Sequence, residues 1–374
     1  MTFDNSWLSK ALDERKEKGN YRELPNYDGL VDFCSNDYIG LSKSSEFGLL
    51  KSQYLNRFKV DNQEGATGSR LISGNSKIAL ETEKYISIFH KAESSLIYST
   101  GYAANVGLLS AVASRGDTII TDEHIHASLI DGARLSNARR FRFDHNCIVD
   151  LEAKLKQSEG RCFVVVESLY SMDGDISPLV QIADLCEVYN ANLIVDEAHA
   201  LGVYSHKGEG LINELGIEDR VWARVVTFGK AMGTHGAAVL GNQLLIDYLI
   251  NFSRSFIYST ALPPEACASI YTAYLLAEKA SENREMLSKN IDYFKETAAL
   301  LELKLLNSNS AIQGVYVSGN NDGKAKELRL REQGLACKAI LSPTVPKGNE
   351  RLRVSIHSYN TFKEIDLLLK TLSE

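Results

Sequence analysis

A lysine, an aspartate and a histidine follow two apolar runs of the chain, and these three side chains could do chemistry together. The run Val225–Phe228 ends just before Lys230, and the run Leu193–Val195 ends at Asp196, with His199 close behind. Pyridoxal phosphate needs this set: an amine for a Schiff base, a carboxylate for the pyridinium nitrogen and a hydrogen-bonding group for the ring hydroxyl. The two runs therefore predict a pyridoxal phosphate site.

Each of these residues also has an ordinary structural explanation. Asp196 alone is equally expected to cap a helix after a strand, and Lys230 alone would normally be a solvated lysine. Their joint occurrence favours a cofactor site over these separate explanations. Gly101-Tyr102 also begins a helix whose free N–H groups suit a phosphate. Gly229 and Gly233 also let the backbone come close to a ligand. The combination favours a cofactor site over coincidence.

Three other motifs are weaker. Asp196–His199 resembles a helicase box, but the required phosphate loop is missing, since Arg224 stands where its first glycine belongs. Gly208–Gly210 lacks the third glycine of a dinucleotide fingerprint. His124 and His126 could bind a metal, yet no second group of ligands accompanies them. We therefore expect no metal.

Composition excludes several classes of function. The chain has 374 residues, is 44% hydrophobic and carries a formal charge of 41 − 48 = −7, with no long run of one sign. This balance argues against nucleic-acid binding, which usually needs a basic face. No stretch of about 18 apolar residues is present, so no membrane span is expected. The first seven residues lack the basic and apolar regions of a signal peptide, which favours a cytoplasmic location.

The cysteines agree with that location. They are widely scattered and include no C-x-x-C pair, so neither a disulfide framework nor a zinc site is expected. We expect them to be small core residues of a protein in a reducing compartment. The six positions are Cys34, Cys147, Cys162, Cys186, Cys267 and Cys337.

Short apolar strands alternate with helices through the middle of the chain. The pattern predicts helices at 101–112 and 179–189 and strands at 117–121, 162–167 and 192–196. Continuous apolar strands between helices indicate an α/β fold with a mostly parallel sheet covered on both faces. Ligands of such sheets bind beyond the carboxyl ends of the strands. The polar residues expected at that edge are Ser171, Asp196, His199 and Lys230.

The pattern changes after about residue 265. Helical stretches are followed by a strand at 311–317, a helix at 324–333, a strand at 352–356 and a final helix at 364–373, which predicts a smaller α+β domain. The expected parts of the chain are an N-terminal segment at 1–40 that joins the small domain, a large cofactor-binding domain at 41–265 and the small domain at 266–374.

Five segments carry a resemblance to a known family. They are Ser35–Leu41, Gly65–Gly74, Ser171–Asp175, Asp196–His199 and Thr227–Lys230. Together they resemble the α-oxoamine synthases, which are fold-type-I pyridoxal phosphate enzymes and typically homodimers. The resemblance implies an acyltransferase that condenses an amino acid with an acyl thioester and releases carbon dioxide. It covers nearly the whole chain.

Other segments favour one branch of that family. Ile257–Pro264, Ser310–Gln313 and especially Pro343–Gly348, leading to Arg351–Arg353, are more similar to the branch that condenses L-alanine with a pimeloyl thioester in biotin synthesis. The acyl group would arrive on coenzyme A or on a carrier protein. The glycine-using and serine-using siblings remain open as alternatives. A non-catalytic partner subunit would be expected to lack Lys230.

The resemblance also implies roles for individual residues. Lys230 would form the Schiff base, Asp196 would pair with the pyridinium nitrogen, and His126 would stack on the ring and contact substrate. The other implied cofactor contacts are Gly101, Tyr102, Ser171, His199, Thr227 and Thr260 of the partner subunit. The implied substrate contacts are Arg22, Asn36, His126, Thr344 and Arg353, with Arg353 and Asn36 on the amino-acid carboxylate and Thr344 near the acyl group.

The chain departs from the family pattern at two places. The segment between Arg22 and Asn36 is shorter than usual, which puts the reach of Arg22 in doubt. Met232 stands where an aromatic residue is more usual, and we expect the nearby His235 to have no chemical role.

Overall fold

The computed structural model describes residues 3–60 and 64–374. The chain divides into two compact units. The larger unit comprises Ile39–Ser171 and Ile176–Arg284, and the smaller unit comprises Met1–Tyr38, Met172–Asp175 and Glu285–Glu374. The domain limits expected at residues 40 and 265 stay a prediction.

The strands are short, and most of them are buried. They are β1 (Val31–Asp32), β2 (Ser94–Tyr98), β3 (Thr118–Asp122), β4 (Arg139–Phe143), β5 (Cys162–Glu167), β6 (Asn192–Asp196), β7 (Ala223–Thr227), β8 (Ala237–Gly241), β9 (Ile312–Tyr316), β10 (Leu335–Ala336), β11 (Lys338–Ile340) and β12 (Arg351–Ser355).

The described part of the chain also contains helices of four to twenty residues. They are α1 (Ser6–Glu17), α2 (Phe47–Arg57), α3 (Lys77–Phe89), α4 (Gly101–Val112), α5 (Ala127–Leu135), α6 (Ile148–Leu155), α7 (Leu179–Val188), α8 (Leu211–Leu215), α9 (Gln243–Phe252), α10 (Arg254–Ile257), α11 (Pro264–Lys279), α12 (Ser281–Leu300), α13 (Gly319–Glu332) and α14 (Phe362–Ser373), with 3₁₀ turns at Leu41–Lys43 and Glu218–Arg220. None of the described helices is long and apolar enough to cross a membrane.

The larger unit is built on a seven-stranded sheet in the order β2-β8-β7-β6-β5-β3-β4. All neighbouring pairs are parallel except those made by β8, which runs antiparallel to both β2 and β7. Every residue of β5 is buried, as expected for a central strand of a parallel sheet that is covered on both faces. The predicted α/β class with a mostly parallel sheet is therefore confirmed.

The smaller unit contains a three-stranded antiparallel sheet in the order β11-β12-β9 and a separate parallel pair of β1 with β10. The pairing of β1 with β10 attaches the N-terminal segment to this unit. The short segment around Gly174 is attached as well, since the Ser308 hydroxyl donates to the Gly174 carbonyl at 2.9 Å. This arrangement matches the predicted α+β character of the C-terminal region.

All six cysteines are free thiols. Four of them are buried and two, Cys34 and Cys147, are half-buried. The buried four pack among apolar residues of the two units, as expected for small core residues.

Candidate active site

Lys230 and His199 are in direct contact in the larger unit. Lys230 lies in a tight turn after β7, in which the N–H of Gly233 donates to the Lys230 carbonyl at 2.8 Å. The N–H of Thr234 donates to the Phe228 carbonyl at 2.9 Å and closes the turn. The Lys230 Nζ is 2.8 Å from His199 Nε2. The two side chains that the sequence predicted for one site are thus brought together.

Asp196 ends β6 and is only 4% exposed. Its Oδ1 accepts the N–H of Ala198 at 2.9 Å, and its Oδ2 accepts from Asn105 Nδ2 at 2.8 Å. The same Asn105 amide group donates to Ser128 Oγ at 2.9 Å. Two donors therefore hold the Asp196 carboxyl group in one orientation at the end of β6.

Sequence reasoning missed Asn105 and Ser128. Asn105 is 2% exposed and lies inside the apolar helix α4, where an asparagine needs a specific partner. The signal that could have found it is this single amide within a run of alanine, valine and leucine. Its Oδ1 has no hydrogen-bond partner among the described residues, so the amide is oriented toward Asp196 by its donors alone.

His126 caps the start of α5 through its imidazole. Nδ1 accepts the N–H of Ser128 at 3.2 Å and is 2.7 Å from the Ser128 hydroxyl. Because a backbone N–H can only donate, Nδ1 is the unprotonated nitrogen of the neutral ring and Nε2 carries its hydrogen. Burial and the charge of Lys230 lower the pKa of His126, against the opposing effect of Asp196. The ring is therefore neutral at neutral pH.

The N-terminus of α4 forms the next part of the site. Thr100 caps it, with its hydroxyl accepting the N–H of Ala103 at 3.0 Å. A Cβ added to Gly101 would lie 2.6 Å from Thr227 Cγ2, so only glycine lets the helix start approach the end of β7 this closely. Tyr102 is half exposed, and its hydroxyl donates to Asp131. The helix start is a favourable place for a phosphate, beside Thr227.

Two further residues implied as cofactor contacts also belong to the larger unit. Ser171 is half-buried and ends the first part of this unit. Thr260 is exposed just after α10, at the rim of a small recess lined by Arg70, Tyr98 and Phe256. Whether Thr260 serves the partner subunit stays a prediction.

The predicted carboxylate contacts meet in the smaller unit. Arg353, on β12, is 9% exposed, and its Nη2 donates to Asn36 Oδ1 at 3.0 Å. Its Nη1 donates to Ser355 Oγ at 2.9 Å, and the Tyr38 hydroxyl donates to the same Asn36 oxygen at 3.0 Å. These contacts hold the guanidinium in one orientation, which suits the planar recognition of a carboxylate.

Arg22 and Thr344 line one groove of the smaller unit. Arg22 lies in the exposed N-terminal segment, and Thr344 follows β11 in the segment that distinguishes the branches of the family. The groove is also lined by Arg15, Lys324 and Lys338, so cations predominate at its walls. Arg22 thus shares a groove with Thr344 despite the shortened segment that follows it.

Met232, at the position where the family more often has an aromatic residue, is fully buried in the larger unit. His235 is exposed.

Among residues 3–60 and 64–374, the histidine, cysteine and acidic side chains form no group of three that could hold a metal ion. The roles assigned to individual residues from the sequence stay predictions.

Pyridoxal phosphate fits the residues of the larger unit. Lys230 supplies a primary amine, Asp196 a buried carboxylate with two donors, and the Gly101 end of α4 a place for the phosphate. His126 presents a neutral ring whose Nδ1 is already engaged. Fold and site together define a fold-type-I pyridoxal phosphate-dependent transferase.

The chain belongs to the aminotransferase class I and II family, whose model matches residues 28–372. It is 37% identical to an 8-amino-7-oxononanoate synthase of Marinobacter nauticus, over 98% of this chain and 95% of the relative. A solved 8-amino-7-oxononanoate synthase from Francisella tularensis superposes with a TM-score of 0.80 at 30% identity, covering 92% of this chain and 97% of the other.

A solved serine palmitoyltransferase from S. paucimobilis, with bound pyridoxal phosphate, superposes with a TM-score of 0.90 at 26% identity, over 99% of this chain and 96% of the other. These likenesses confirm three predictions from the sequence: the fold, the cofactor and the class of enzyme. The chain is a pyridoxal phosphate-dependent enzyme of the acyltransferase type.

Proposed function

We propose that this enzyme is an 8-amino-7-oxononanoate synthase, which condenses L-alanine with a pimeloyl thioester and releases carbon dioxide in biotin synthesis. The observation that carries the proposal is the likeness to relatives of that name along nearly the whole chain, at 37% identity in one case and 39% in another. The complete set of Lys230, Asp196, His126 and His199 supports it, because a non-catalytic subunit would not need them.

Lys230 is proposed to act twice. Bound pyridoxal phosphate would supply an electron sink that stabilises negative charge at the amino-acid Cα. The Lys230 amine would first hold the cofactor and then, once displaced by L-alanine, remove the Cα proton as general base. His199 Nε2 lies 2.8 Å from Nζ and would orient the amine between these two tasks.

Asp196 and His126 would contact different parts of the cofactor ring. Asp196 would keep the ring nitrogen protonated through its buried carboxylate, whose two oxygens are already held by Ala198 and Asn105. His126 would lie over the ring and present its Nε2–H, since Ser128 holds Nδ1. A neutral imidazole at this place donates a hydrogen bond without adding a positive charge beside Lys230.

Arg353 and Asn36 are proposed to bind the carboxylate of L-alanine. The guanidinium is buried and held by Asn36 and Ser355, so little side-chain entropy is lost when it binds. A charge-assisted and bidentate bond would set which Cα bond is broken.

Replacing Arg353 with lysine is expected to raise the KM for L-alanine about tenfold to a hundredfold, because lysine cannot form the two parallel bonds. Steady-state kinetics with varied L-alanine measure the effect. Arg329→Lys is the matched control, since Arg329 pairs with Glu374 at the surface of the same unit. An unchanged KM in the Arg353 variant would remove this residue from the carboxylate site.

The groove that contains Arg22 and Thr344 is proposed to receive the acyl thioester. Its cations, among them Arg15 and Lys324, would attract the anionic carrier of the acyl group, which is coenzyme A or a carrier protein.

The enzyme is proposed to act in the cytoplasm as a homodimer with a shared active site, to which Thr260 of the partner subunit contributes. No nucleic-acid or membrane partner is proposed.

A serine-using or glycine-using sibling is the second candidate. The specific observation in its favour is the TM-score of 0.90 to a serine palmitoyltransferase, which exceeds the 0.80 to the solved synthase from Francisella tularensis. Sequence identity favours the first candidate, at 30% against 26%. The amino-acid and acyl specificity of the purified enzyme separates the two.

The test incubates the cofactor-loaded enzyme with pimeloyl-coenzyme A and, separately, L-alanine, glycine and L-serine. Mass spectrometry of the products is the measurement. We expect 8-amino-7-oxononanoate from L-alanine, with at least about tenfold less product from the other two amino acids, because a pocket that fits one methyl group discriminates by about that factor. Product from glycine or L-serine alone would assign the enzyme to a sibling branch.

A further inference from the structure

Glu167 is a buried carboxyl group that the proposed mechanism does not use. It ends β5 and is 3% exposed. In the parallel pairing of β5 with β6 it lies directly in register with Asp196. Side chains in register on neighbouring parallel strands project from the same face, so the two carboxyl groups are close neighbours at the edge of the sheet that holds the cofactor site.

The two carboxyl groups differ in their hydrogen bonds. Both oxygens of Asp196 accept, one from Ala198 and the other from Asn105. The backbone N–H of His126 donates to the Glu167 carboxyl group, but Glu167 Oε1 is buried and has no hydrogen-bond partner among residues 3–60 and 64–374. An ionised carboxylate with a buried and unsatisfied oxygen is costly, whereas a neutral carboxylic acid at the same place is much less so.

A second acidic neighbour adds to this cost. Asp122 ends β3, the strand on the other side of β5, and is fully buried. It is itself stabilised as an anion by His145 Nδ1 at 2.9 Å and by the N–H groups of Asn146 and His124, both at 2.8 Å. The β3–β5 register, in which Thr121 pairs with Val165, aligns Asp122 with Val166 rather than with Glu167. The charge of Asp122 therefore opposes ionisation of Glu167 less strongly than the charge of Asp196 does.

We propose that Glu167 holds a proton at neutral pH, and that this leaves Asp196 as the single anion of the pair facing the cofactor ring. Two neighbouring buried carboxyl groups do not both ionise, and the one that accepts more hydrogen bonds takes the charge. Glu167 is thus a positioning residue that acts through Asp196.

The electrostatic surroundings agree with this assignment. Burial raises the pKa of Glu167 to about 8, and the charges of Asp196 and Asp122 act in the same direction. Lys230 and the backbone N–H of His126 oppose the rise. Tyr170, which lies near both Asp122 and Glu167, has its own pKa raised by burial and stays neutral.

Infrared spectroscopy of the cofactor-loaded enzyme without substrates tests the protonation state directly. We expect a carboxylic acid C=O band at neutral pH that disappears as the pH rises through about 8. The band should be absent from Glu167→Gln and present in Glu159→Gln, the matched control, because Glu159 is exposed. A wild-type spectrum without the band, or one unchanged in Glu167→Gln, would overturn the proposal.

The absorbance of the bound cofactor gives a second readout. Glutamine resembles a neutral carboxylic acid, so below about pH 8, where Glu167 holds its proton, Glu167→Gln should leave the pH dependence of this absorbance unchanged. If Glu167 were an anion near Lys230, its removal would lower the pH at which this absorbance changes by about one unit or more. Such a shift would contradict the proposal.

Measurements of kcat separate the effect of the charge of the Glu167 side chain from the effect of its shape. Glu167→Gln should keep kcat within about threefold of the wild-type value, whereas Glu167→Ala should lose more, because alanine cannot accept the His126 N–H. A Glu167→Gln variant that binds cofactor normally but loses kcat a hundredfold would count against a neutral Glu167.

The inference rests on the cofactor site of the proposed function. Because the spectra need no substrate, their outcome does not depend on which amino acid the enzyme uses.

Discussion

Replacing Lys230 with alanine is expected to lower turnover by at least about a thousandfold. The variant loses both the amine that holds the cofactor and the general base for the Cα proton, and a positioned base alone contributes about 10²–10⁴ in rate. The cofactor should be retained weakly or as the free aldehyde. Product formation from L-alanine and pimeloyl-coenzyme A, followed by mass spectrometry, measures the loss.

Lys207→Ala is the matched control for this prediction, because Lys207 is an exposed lysine of the same unit that pairs with Glu278 at the surface. It should retain full activity. Addition of a small amine such as methylamine should partly restore the Cα proton removal that Lys230→Ala lacks. Near-normal turnover without any added amine would show that Lys230 is not the base and that the mechanism proposed above is wrong.

Asp196→Asn is expected to slow the exchange of the α-hydrogen of L-alanine about a hundredfold or more. Loss of the negative partner lowers the pKa of the ring nitrogen, so the ring becomes a weaker electron sink. The substituted amide also has only one accepting oxygen for the two donors, Ala198 and Asn105, that hold the carboxylate. Exchange in deuterated buffer, followed by proton magnetic resonance, measures the rate.

Asp184→Asn is the control for the loss of one negative charge, since Asp184 is exposed on α7 and pairs with Arg220. Its exchange rate should equal that of the wild-type enzyme. Cofactor occupancy must be matched between the variants by absorbance before the rates are compared. If Asp196→Asn exchanges at the wild-type rate when fully loaded, Asp196 does not serve the ring nitrogen.

Local pattern was enough to predict much of the larger unit. The predicted strands at 162–167 and 192–196 are β5 and β6, and the predicted helix at 101–112 is α4. These elements are continuous apolar runs with clear ends, such as the N-cap of α4 at Thr100. Their lengths and order suffice for the α/β class.

The start of α13 shows where local pattern was misleading. The sequence predicts a helix from residue 324, but α13 begins at Gly319. Glycine and asparagine are poor helix formers, so residues 319–323 resemble a loop. The Asp322 carboxylate accepts the N–H of Ser318 at 2.8 Å, and a Cβ on Gly323 would lie 2.9 Å from Leu341 Cδ2. Packing inside the smaller unit therefore favours the extra turn.

The sequence alone was enough to predict which cofactor this protein uses. Residue types that follow apolar strands, namely Asp196, His199 and Lys230, indicate pyridoxal phosphate because strand ends of a parallel sheet meet at one edge. The tertiary structure decided how each group is held. Asn105 donates to Asp196 from an apolar helix, and Glu167 lies in register with Asp196 on the adjacent strand, although both are distant from it in the sequence. Only folding can determine which carboxyl group has donors, because hydrogen-bond partners and burial depend on neighbours in space.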